Sequence, residues 1–441
     1  MQRRLDMKSN WKLFLSLPVL SWALYDFANT IFSSNVNTIF FPLFLADKIG
    51  GNQEMNQISS TFISYANAAA SIFLVFFSPL FGASIDRTGK KKIWIIIFTF
   101  ICVVATFLMG VFTAFTLPGN LLHLPTSLIF VILAFVVAKF FYQSSLIFYD
   151  AMLADIVEKT QVPLVSGFGV ATGYMGTLLG LSIYPFVHHQ YGIAFIATAV
   201  LFFLFSLPIC LFTKDGKPHL NQTKTRFFSG YFDIWLTFKE MQKFKSIFIF
   251  MISYFFLNDA IATAIAMMAV YAKTIVHFSN STFILLYFIS TISSIVGSFL
   301  FGYITKAKGG KRSVLFVAMI MVCALVCACI ATSQTLMWIA GSLFGVSLGA
   351  MWVASRSLII DLSPEQKRGQ FFGLFAFSGK VSAVFGPLLY GSITWGFASF
   401  GNVASRLALG SLVILTIIGT IVLLYVRDAD HIKSEKFSNF S

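Results

Sequence analysis

GASIDRTGKKK (Gly82–Lys92) follows a long apolar run and combines two glycines, one acid and a group of basic residues. A related stretch, GYITKAKGGKR (Gly302–Arg312), begins 220 residues later in a chain of 441. The two stretches follow the second and the eighth long apolar runs of the chain. Because the offset is about half the chain length, the pattern predicts two corresponding halves.

A second pair of segments repeats at a similar offset. The intervals from Asp155 to Asp361 and from Gly180 to Gly386 are both 206 residues. In each half the acid ends one apolar run and the glycine lies in the next run. This second correspondence supports the prediction of two halves.

The composition predicts a membrane protein, because 57% hydrophobic residues, 11% charged residues and a mean hydropathy of +0.83 lie outside the range of soluble domains. A membrane-spanning helix needs ~20 apolar residues. Runs of this kind begin near residues 19, 61, 93, 127, 166, 192, 246, 282, 313, 336, 370 and 404. These runs are continuously apolar, whereas the strands of a transmembrane barrel would alternate in polarity. We therefore expect an all-α polytopic protein with twelve transmembrane helices in two pseudo-symmetric six-helix bundles.

The predicted boundaries are residues 1–213 for the N-terminal bundle and 246–441 for the C-terminal bundle with a short tail. Residues 214–245 form a basic linker between them. Its mixture of aromatic and cationic residues fits either a helix in the membrane interface or a simple tether. The first span has polar groups and no small-residue cleavage site, so we expect it to be retained.

Basic residues predict the orientation. With both termini in the cytoplasm, 25 of the 31 Lys and Arg residues lie on the cytoplasmic side and only Lys48, Lys273 and Arg406 lie outside. The remaining three, Lys139, Arg356 and Lys380, lie within spans. The net charge of +14 is then explained by topology and by attraction to anionic lipids, so nucleic acid is not an expected partner. We expect a monomer in a bacterial inner membrane, with an acidic organelle as the second choice.

Two six-helix halves joined by a cytoplasmic linker resemble the major facilitator superfamily. The loop after span two is similar to the signature of that superfamily, which runs from a glycine through an acid to a glycine and basic residues. The matching residues are Gly82, Asp86, Arg87, Gly89, Lys90 and Lys91. The chain departs from the signature at Ser84 and Ile85, and the second copy has Lys306 in place of the acid. The resemblance implies a transporter fold.

Each residue type in this loop has a physical reason. Gly82 permits close approach of helices, Asp86 suits the positive N-terminus of a neighbouring helix, and the basic residues hold the loop in the cytoplasm. Asp150 and Arg356 lie near the cytoplasmic ends of their spans, where they could pair with the loop or extend to the interface. We predict a cytoplasmic gate formed by these two residues and the signature residues.

The chain also resembles the vacuole effluxer branch of the superfamily, which is named for an autophagy-related exporter of amino acids from fungal vacuoles. The resemblance rests on segments from both halves, namely WALYDFAN (22–29), FYDAMLADI (148–156), FLNDAIAT (256–263), SRS (355–357), SGK (378–380) and GP (386–387). Because these segments are spread along the chain, the resemblance covers nearly all of it. It implies a solute carrier whose substrates are amino acids.

The first span carries an unusual number of polar residues. At ~100° per residue in an α-helix, five of them share one face of this span. They are Asp26, Asn29, Thr30, Ser33 and Asn37. Asn35 points in another direction. The same geometry places four residues of span four on one face, namely Lys139, Tyr142, Gln143 and Asp150. Lys380 shares a face of span eleven with small residues of that span.

An ionised side chain at the middle of a bilayer costs ~2.5 to 3.5 kcal/mol. The acids Asp26, Asp150 and Asp259 and the bases Lys139, Arg356 and Lys380 nearly balance within the spans. They could bind substrate in a central cavity, or they could be static ion pairs that hold helices together. The depth and the small or polar neighbours of Asp26 and Lys380 favour the cavity, whereas both interpretations stay open for Lys139 and Asp259.

The predicted substrate and coupling cavity is formed by Asp26, Asn29, Ser33, Asn37, Lys139, Gln143, Asn258, Asp259 and Lys380. Span five carries a stripe of glycines, Gly169, Gly173, Gly176 and Gly180. The stripe predicts close helix packing, and its alternative is a lining of the cavity. No motif for a catalytic residue, a metal or another cofactor occurs in the sequence.

We therefore predict a secondary active transporter that works by alternating access, with Asp26 as the group that couples protons to a small polar or anionic solute such as an amino acid. Two alternatives stay open. One is an exporter of another small molecule that is uncoupled or coupled to another ion. The other, of a different class, is a membrane-embedded enzyme or a sensor that transports nothing.

Overall fold

The computed structural model describes residues 12–49, 53–115, 120–121, 124–157, 162–187, 190–215, 244–362 and 368–426. In chain order the α-helices are α1 (Leu17–Phe32), α2 (Phe41–Ile49), α3 (Gln53–Thr88), α4 (Lys92–Ala114), α5 (Thr126–Ile156), α6 (Val162–Ser182), α7 (Tyr184–Val187), α8 (Tyr191–Phe212), α9 (Lys245–Val276), α10 (Asn280–Lys308), α11 (Gly310–Ile330), α12 (Gln334–Leu362), α13 (Arg368–Gly396) and α14 (Asn402–Leu424). A π-helical segment (Ser33–Phe40) joins α1 to α2, and a 3-10 turn (Ala398–Phe400) precedes α14. Strands β1 (Asn120–Leu121) and β2 (Leu124–Pro125) pair antiparallel before α5.

Ten helical stretches of the described residues are long and apolar enough to cross a membrane. They are Met55–Phe77, Lys92–Ala114, Thr126–Leu153, Phe168–Val187, Tyr191–Phe212, Lys245–Val276, Asn280–Ser298, Gly310–Ile330, Gln334–Ile359 and Asn402–Leu424. These correspond to all predicted spans except the first and the eleventh. The π-helical segment divides the first span into shorter pieces, and the eleventh corresponds to α13 with its 29 residues. The chain is a nearly all-helical, multi-pass membrane protein, and the count of twelve spans stays a prediction.

The helices expose large apolar side chains on their outer surfaces. Phe76 is 62% exposed, Phe100 is 59% exposed and Ile414 is 60% exposed. A soluble protein rarely leaves so much contiguous apolar surface in contact with water. In a bilayer, lipid tails cover such side chains, so the surface agrees with the predicted membrane environment.

One compact unit takes its described residues from Met1–Phe44 and Phe76–Gly230. In this unit α1 packs against α6 and α8, and α4 packs against α5 and α8. Buried aromatic rings fill the contacts, as where Phe41 and Phe135 stack with ring centroids 3.7 Å apart. Asn35 Nδ2 donates to Thr198 Oγ1 of α8 at 3.0 Å, which confirms that this side chain points away from the predicted polar face of the first span.

The other unit takes its described residues from Leu45–Val75 and Tyr231–Ser441. In it α9 packs against α13 and α14, and α11 packs against α12 and α14. Residues 45–75 lie within the range predicted for the N-terminal bundle (1–213), yet they pack within this unit. Thr61 Oγ1 lies 2.9 Å from Thr394 Oγ1, and Ser405 Oγ donates to Gln57 Oε1 at 2.8 Å. These hydroxyl and amide contacts attach α3 to the ends of α13 and α14.

The packing of the two units repeats. The pairs α1–α6, α1–α8, α4–α5 and α4–α8 in one unit correspond to α9–α13, α9–α14, α11–α12 and α11–α14 in the other. Gly89 and Gly309, which the sequence repeat aligns, both have left-handed backbones, with φ of 64° and 82°. Glycine adopts this conformation without strain, and here it lets the chain turn sharply after α3 and after α10. The structure therefore supports the prediction of two corresponding halves.

Candidate functional site

Asp26 lies on α1 where this helix contacts α6, and it is half-buried. A Cβ atom at position 173 would lie 2.8 Å from Asp26 Oδ2, so glycine leaves the room that the carboxylate occupies. One turn further along α1, Thr30 Oγ1 donates to the Gly173 carbonyl oxygen at 2.5 Å. The side chain of Asp26 is therefore held against the backbone of α6.

The glycine stripe of α6 faces α1 along its length. Cβ atoms at the four glycines would collide with α1, since each glycine meets a different group. The neighbours are Trp22 for Gly169, Asp26 and Thr30 for Gly173, Phe27 and Thr30 for Gly176, and Ser34 and Asn35 for Gly180. This confirms the predicted close packing. The packing also brings the polar face of α1 into contact with backbone instead of side chains.

Asn29 is only 1% exposed, and neither atom of its amide group has a hydrogen-bond partner among the described residues. Buried polar groups are nearly always paired, and an unpaired one costs ~1–3 kcal/mol. Other buried polar groups of the same helix are satisfied, as where Tyr25 Oη lies 2.5 Å from Thr99 Oγ1. Asn29 thus has a buried donor and a buried acceptor that the described chain leaves unpaired.

The first span changes from an α-helix to a π-helix four residues after Asn29. From Ser33 to Phe40 it is a π-helix with i to i+5 hydrogen bonding, so the α-helical angle that placed Asn37 on the polar face does not apply there. Within this segment Thr38 Oγ1 donates to the Ser33 carbonyl oxygen at 3.2 Å. Hydroxyl groups that compete for backbone carbonyls are one cause of such irregular turns. Asn37 is half-buried, and its Oδ1 has no partner among the described residues.

Span four contributes a face of α5 that meets the polar residues of α1. The Tyr142 ring lies 4.7 Å from the Phe32 ring, and its hydroxyl lies near the side chain of Ser33. On the same helix, Lys139 is 8% exposed, with its Nζ 6.0 Å from the Phe135 ring centroid. Gln143 Oε1 is buried and has no partner in the described chain. The structure therefore brings Ser33 next to the predicted face of span four.

Span seven binds span eleven through Asn258. Its Nδ2 donates to the Gly379 carbonyl oxygen at 3.0 Å and to Ser382 Oγ at 2.8 Å, and its Oδ1 accepts from Tyr254 Oη at 3.2 Å. All of these partners belong to α9 or α13. The amide of Asn258 is therefore satisfied within the unit and connects the two helices.

Asp259 is fully buried at the same contact. Its Oδ1 accepts a hydrogen bond of 2.7 Å from the backbone N–H of Gly386, while Oδ2 and the neighbouring Thr263 Oγ1 have no partner among the described residues. Pro387 follows Gly386 inside α13 and has no backbone N–H of its own to donate. Lys380 lies earlier on α13 and is half-buried.

The predicted cytoplasmic gate contains a buried ion pair. Lys91 Nζ lies 2.6 Å from Asp155 Oδ2, and their side chains are 4% and 10% exposed. The carboxylate of Asp215 accepts the backbone N–H groups of Lys91 at 2.8 Å and Lys92 at 2.6 Å, so it caps the positive end of α4. Lys91 therefore joins α4 to α5, and Asp215 joins the end of α8 to the start of α4.

The other predicted gate residues differ from Lys91 in their exposure or in how much of them the structure describes. Lys90, Asp150 and Arg356 are exposed. Gly82, Asp86 and Arg87 lie where the structure describes only the backbone of α3. Sequence reasoning did not assign Asp155 or Asp215 to the gate, because both acids lie far along the chain from the loop. The only sequence signal for Asp155 was its equivalence to Asp361 in the repeat.

Comparisons with known proteins identify the family of the chain and several relatives. A model of the family described as vacuole effluxer Atg22 like matches residues 157–436, which is more than half of the chain. The chain is 26% identical over 423 residues to the uncharacterized MFS-type transporter YxiO of Bacillus subtilis (strain 168), covering 92% of this chain and 94% of YxiO. It is 26% identical over 272 residues to autophagy-related protein 22 of Kluyveromyces lactis, covering 56% of this chain and 54% of that protein.

A solved structure shows the same fold. The nucleoside transporter NupG matches with a TM-score of 0.73 at 11% identity, covering 92% of this chain and 99% of the NupG chain. At this identity the likeness concerns the fold alone. The chain therefore belongs to the vacuole effluxer Atg22-like family, and it is a transporter of the major facilitator type and not an enzyme.

Proposed function

We propose that the protein is a proton-coupled secondary transporter of amino acids that works by alternating access. The family match and the fold support a carrier, and the resemblance to vacuole effluxers supports the substrate class. A bacterial inner membrane with both termini in the cytoplasm is part of the proposal, because the likeness to YxiO extends over nearly the whole chain. Small solutes, protons and anionic lipids are then its partners.

The observation that carries the proposal is the unsatisfied amide of Asn29. A free amino acid has an ammonium group that donates hydrogen bonds and a carboxylate that accepts them. The amide of Asn29 offers one acceptor atom, Oδ1, and one donor atom, Nδ2. Gln143 offers a further unpaired acceptor atom, Oε1. A zwitterion would satisfy these groups, which the described chain leaves without partners.

Charges of both signs lie on the same helices. Asp26 is one turn from Asn29 on α1 and would attract the ammonium group, while Lys139 is one turn from Gln143 on α5 and would attract the carboxylate. Lys380 on α13 is proposed to act in the same transport cycle from its own unit. The remaining predicted cavity residues, Ser33, Asn37, Asn258 and Asp259, complete the polar surfaces of their helices.

Asp26 is the proposed coupling group. A carboxyl group takes up and releases one proton, and its proton affinity changes when its surroundings alternate between wet and dry. Glycine at position 173 leaves room for the carboxylate at the contact between α1 and α6. Movement of α1 relative to α6 would therefore change the environment of this group directly.

At the gate, we propose that the pair of Lys91 and Asp155 fixes the loop after α3 to α5 when the cytoplasmic side is closed. The pair is buried, so separating it requires water to reach both groups. Asp86, Arg87, Asp150 and Arg356 are proposed to act in the same opening step. The loop then controls the rate of transport and leaves the choice of substrate to other residues.

The test uses purified protein in liposomes that contain a pH-sensitive dye. Each standard L-amino acid is added in turn, and proton flux is recorded for the wild type and for Asp26→Asn. We expect at least one amino acid to drive proton flux, and we expect Asp26→Asn to reduce that flux at least about tenfold because the amide binds no proton. Exchange of labelled amino acid at equal pH should persist in part.

Asp26→Glu is the matched control, because it keeps a carboxyl group and should retain proton flux. Unchanged flux in Asp26→Asn would remove the coupling role from this residue. No response of the wild type to any amino acid, in either flux or exchange, would contradict the substrate class.

A further inference from the structure

Asp259 and Thr263 lie one turn apart on α9, and both are fully buried. Asp259 Oδ2 and Thr263 Oγ1 have no hydrogen-bond partner among the described residues. A buried hydroxyl on a helix often donates to a carbonyl of the preceding turn. Thr274 of α9 does so, since its Oγ1 donates to the Val270 carbonyl oxygen at 3.0 Å. The unpaired hydroxyl of Thr263 is therefore not a general property of this helix.

The two side chains meet at Gly386 of α13. A Cβ atom at this position would overlap both Thr263 Oγ1 and Asp259 Oδ1, and it would lie 2.8 Å from Asp259 Cγ. The absence of a side chain at Gly386 thus leaves the room in which the oxygens of both residues lie as neighbours. The backbone N–H of Gly386 donates to Asp259 Oδ1 at 2.7 Å, which holds the carboxylate in place.

Pro387 adds a backbone oxygen on the same turn of α13. Because proline has no N–H, the carbonyl oxygen of Ala383 loses the donor that a regular α-helix would give it. In interrupted membrane helices, backbone carbonyls released in this way can coordinate Na⁺. This turn of α13 therefore offers an acceptor in addition to the carboxylate and the hydroxyl.

The contacts of Asp259 with described residues include no cation. Lys380 precedes Gly386 by six residues, which at ~100° per residue places it ~120° around α13 from the glycine. An ionised carboxylate inside a membrane is costly unless a positive charge accompanies it. A proton on Oδ2 would remove the charge, but it would leave the Thr263 hydroxyl unpaired, since no hydrogen bond joins the two groups.

We propose that Asp259 and Thr263 form a binding site for one Na⁺ ion against the Pro387 turn of α13. Hard cations take oxygen ligands, and this site offers a carboxylate, a hydroxyl and a backbone carbonyl. One carboxylate balances a monovalent ion, whereas a divalent ion would leave a net positive charge buried. The ion connects α9 to α13 within one unit. The site goes beyond the proposed function, whose coupling group, Asp26, belongs to the other unit.

The experiment measures thermal unfolding of the full-length protein in detergent while NaCl replaces choline chloride at constant ionic strength. Choline carries the same charge but is too large to be held by these oxygens, so it controls for salt. We expect Na⁺ to raise the melting temperature by at least about 2 °C and the rise to saturate, because an ion that binds only the folded state stabilises it.

Thr263→Val and Thr274→Val are a matched pair, because each removes one buried hydroxyl from α9. Thr263→Val should raise the half-saturating Na⁺ concentration at least about tenfold, since the ion loses a ligand. It should not lower the melting temperature in choline, because this hydroxyl has no described partner to lose. Thr274→Val should keep the response to Na⁺. Asp259→Asn should abolish the response, because the negative charge is removed.

Equal melting temperatures of the wild type in Na⁺ and in choline would overturn the site. A response to Na⁺ that is unchanged in Thr263→Val or in Asp259→Asn would overturn it as well, because the ion would then bind elsewhere. These measurements involve no transport, so the Na⁺ site and proton coupling at Asp26 stand or fall separately.

Discussion

At the scale of single residues, Asn29 and Asn258 show how one residue type serves two purposes. Both asparagines lie on apolar helices and both belong to the predicted cavity. The amide of Asn258 makes three hydrogen bonds within its own unit, whereas that of Asn29 makes none with described residues. Asn258 therefore contributes to stability, whereas a buried amide without a partner, as at Asn29, costs stability.

This difference predicts opposite effects of the same substitution. Asn258→Leu should lower the free energy of unfolding by about 1–3 kcal/mol, because Ser382 and Tyr254 lose their partner. Asn29→Leu should leave it unchanged or raise it, and should abolish the uptake of amino acids. Thermal unfolding in detergent and uptake by liposomes measure the two effects. Loss of stability in Asn29→Leu without loss of transport would show that the amide has a structural partner.

At the scale of elements, the contact between α1 and α6 combines packing with function. Every glycine of the stripe permits close approach, but the group on the opposite side differs. The side chain of Asp26 faces Gly173, whereas the backbone carbonyl of Phe27 faces Gly176. A side chain can rotate away from an added methyl group, and the backbone of a packed helix cannot.

We therefore expect Gly176→Ala to be the more destabilising substitution, by about 1–3 kcal/mol, because α1 and α6 must separate. Gly173→Ala should cost less stability and should reduce proton-coupled transport by displacing the carboxylate of Asp26. Thermal unfolding and proton flux distinguish the two variants. Equal losses of stability and of transport in both would mean that the stripe acts only as a packing surface.

At the scale of the whole molecule, the unit that contains α9–α14 also holds residues 45–75. Asp47 and Lys273 form an ion pair in this unit, next to the hydroxyl and amide contacts of α3. Their side chains are 27% and 31% exposed, so the pair is partly screened by water. Both residues lie near helix ends that the predicted topology places outside the membrane.

Charge reversal tests the contribution of this pair. Asp47→Lys should reduce thermal stability by up to about 1 kcal/mol, because two cations would then face each other. The exchange variant, Asp47→Lys with Lys273→Asp, should restore the stability of the wild type. An exchange variant that is no better than Asp47→Lys would show that the neighbouring contacts hold this region without the pair.

Much of the fold could be predicted from the sequence, because apolar runs and their spacing are local patterns. The local rules did not predict the π-helical segment within the first span, because an α-helical angle was assumed for every residue of that span. They also could not show which buried polar groups lack a partner, because such pairing depends on contacts between helices. The glycine stripe was interpreted correctly, since its spacing already matches one helix face.

The sequence by itself determined that the chain is a helical membrane protein with two related halves, because hydrophobic length and a repeat of 220 residues can be seen without knowing any contact. Only the tertiary structure decided which polar groups are paired. Lys91 and Asp155 are 64 residues apart in the chain, and Asn258 and Gly379 are 121 apart. The structure also shows that Asn29 and the hydroxyl of Tyr149 have no such partner in the described chain. Partners this distant are chosen by helix packing, which no local pattern of residues specifies.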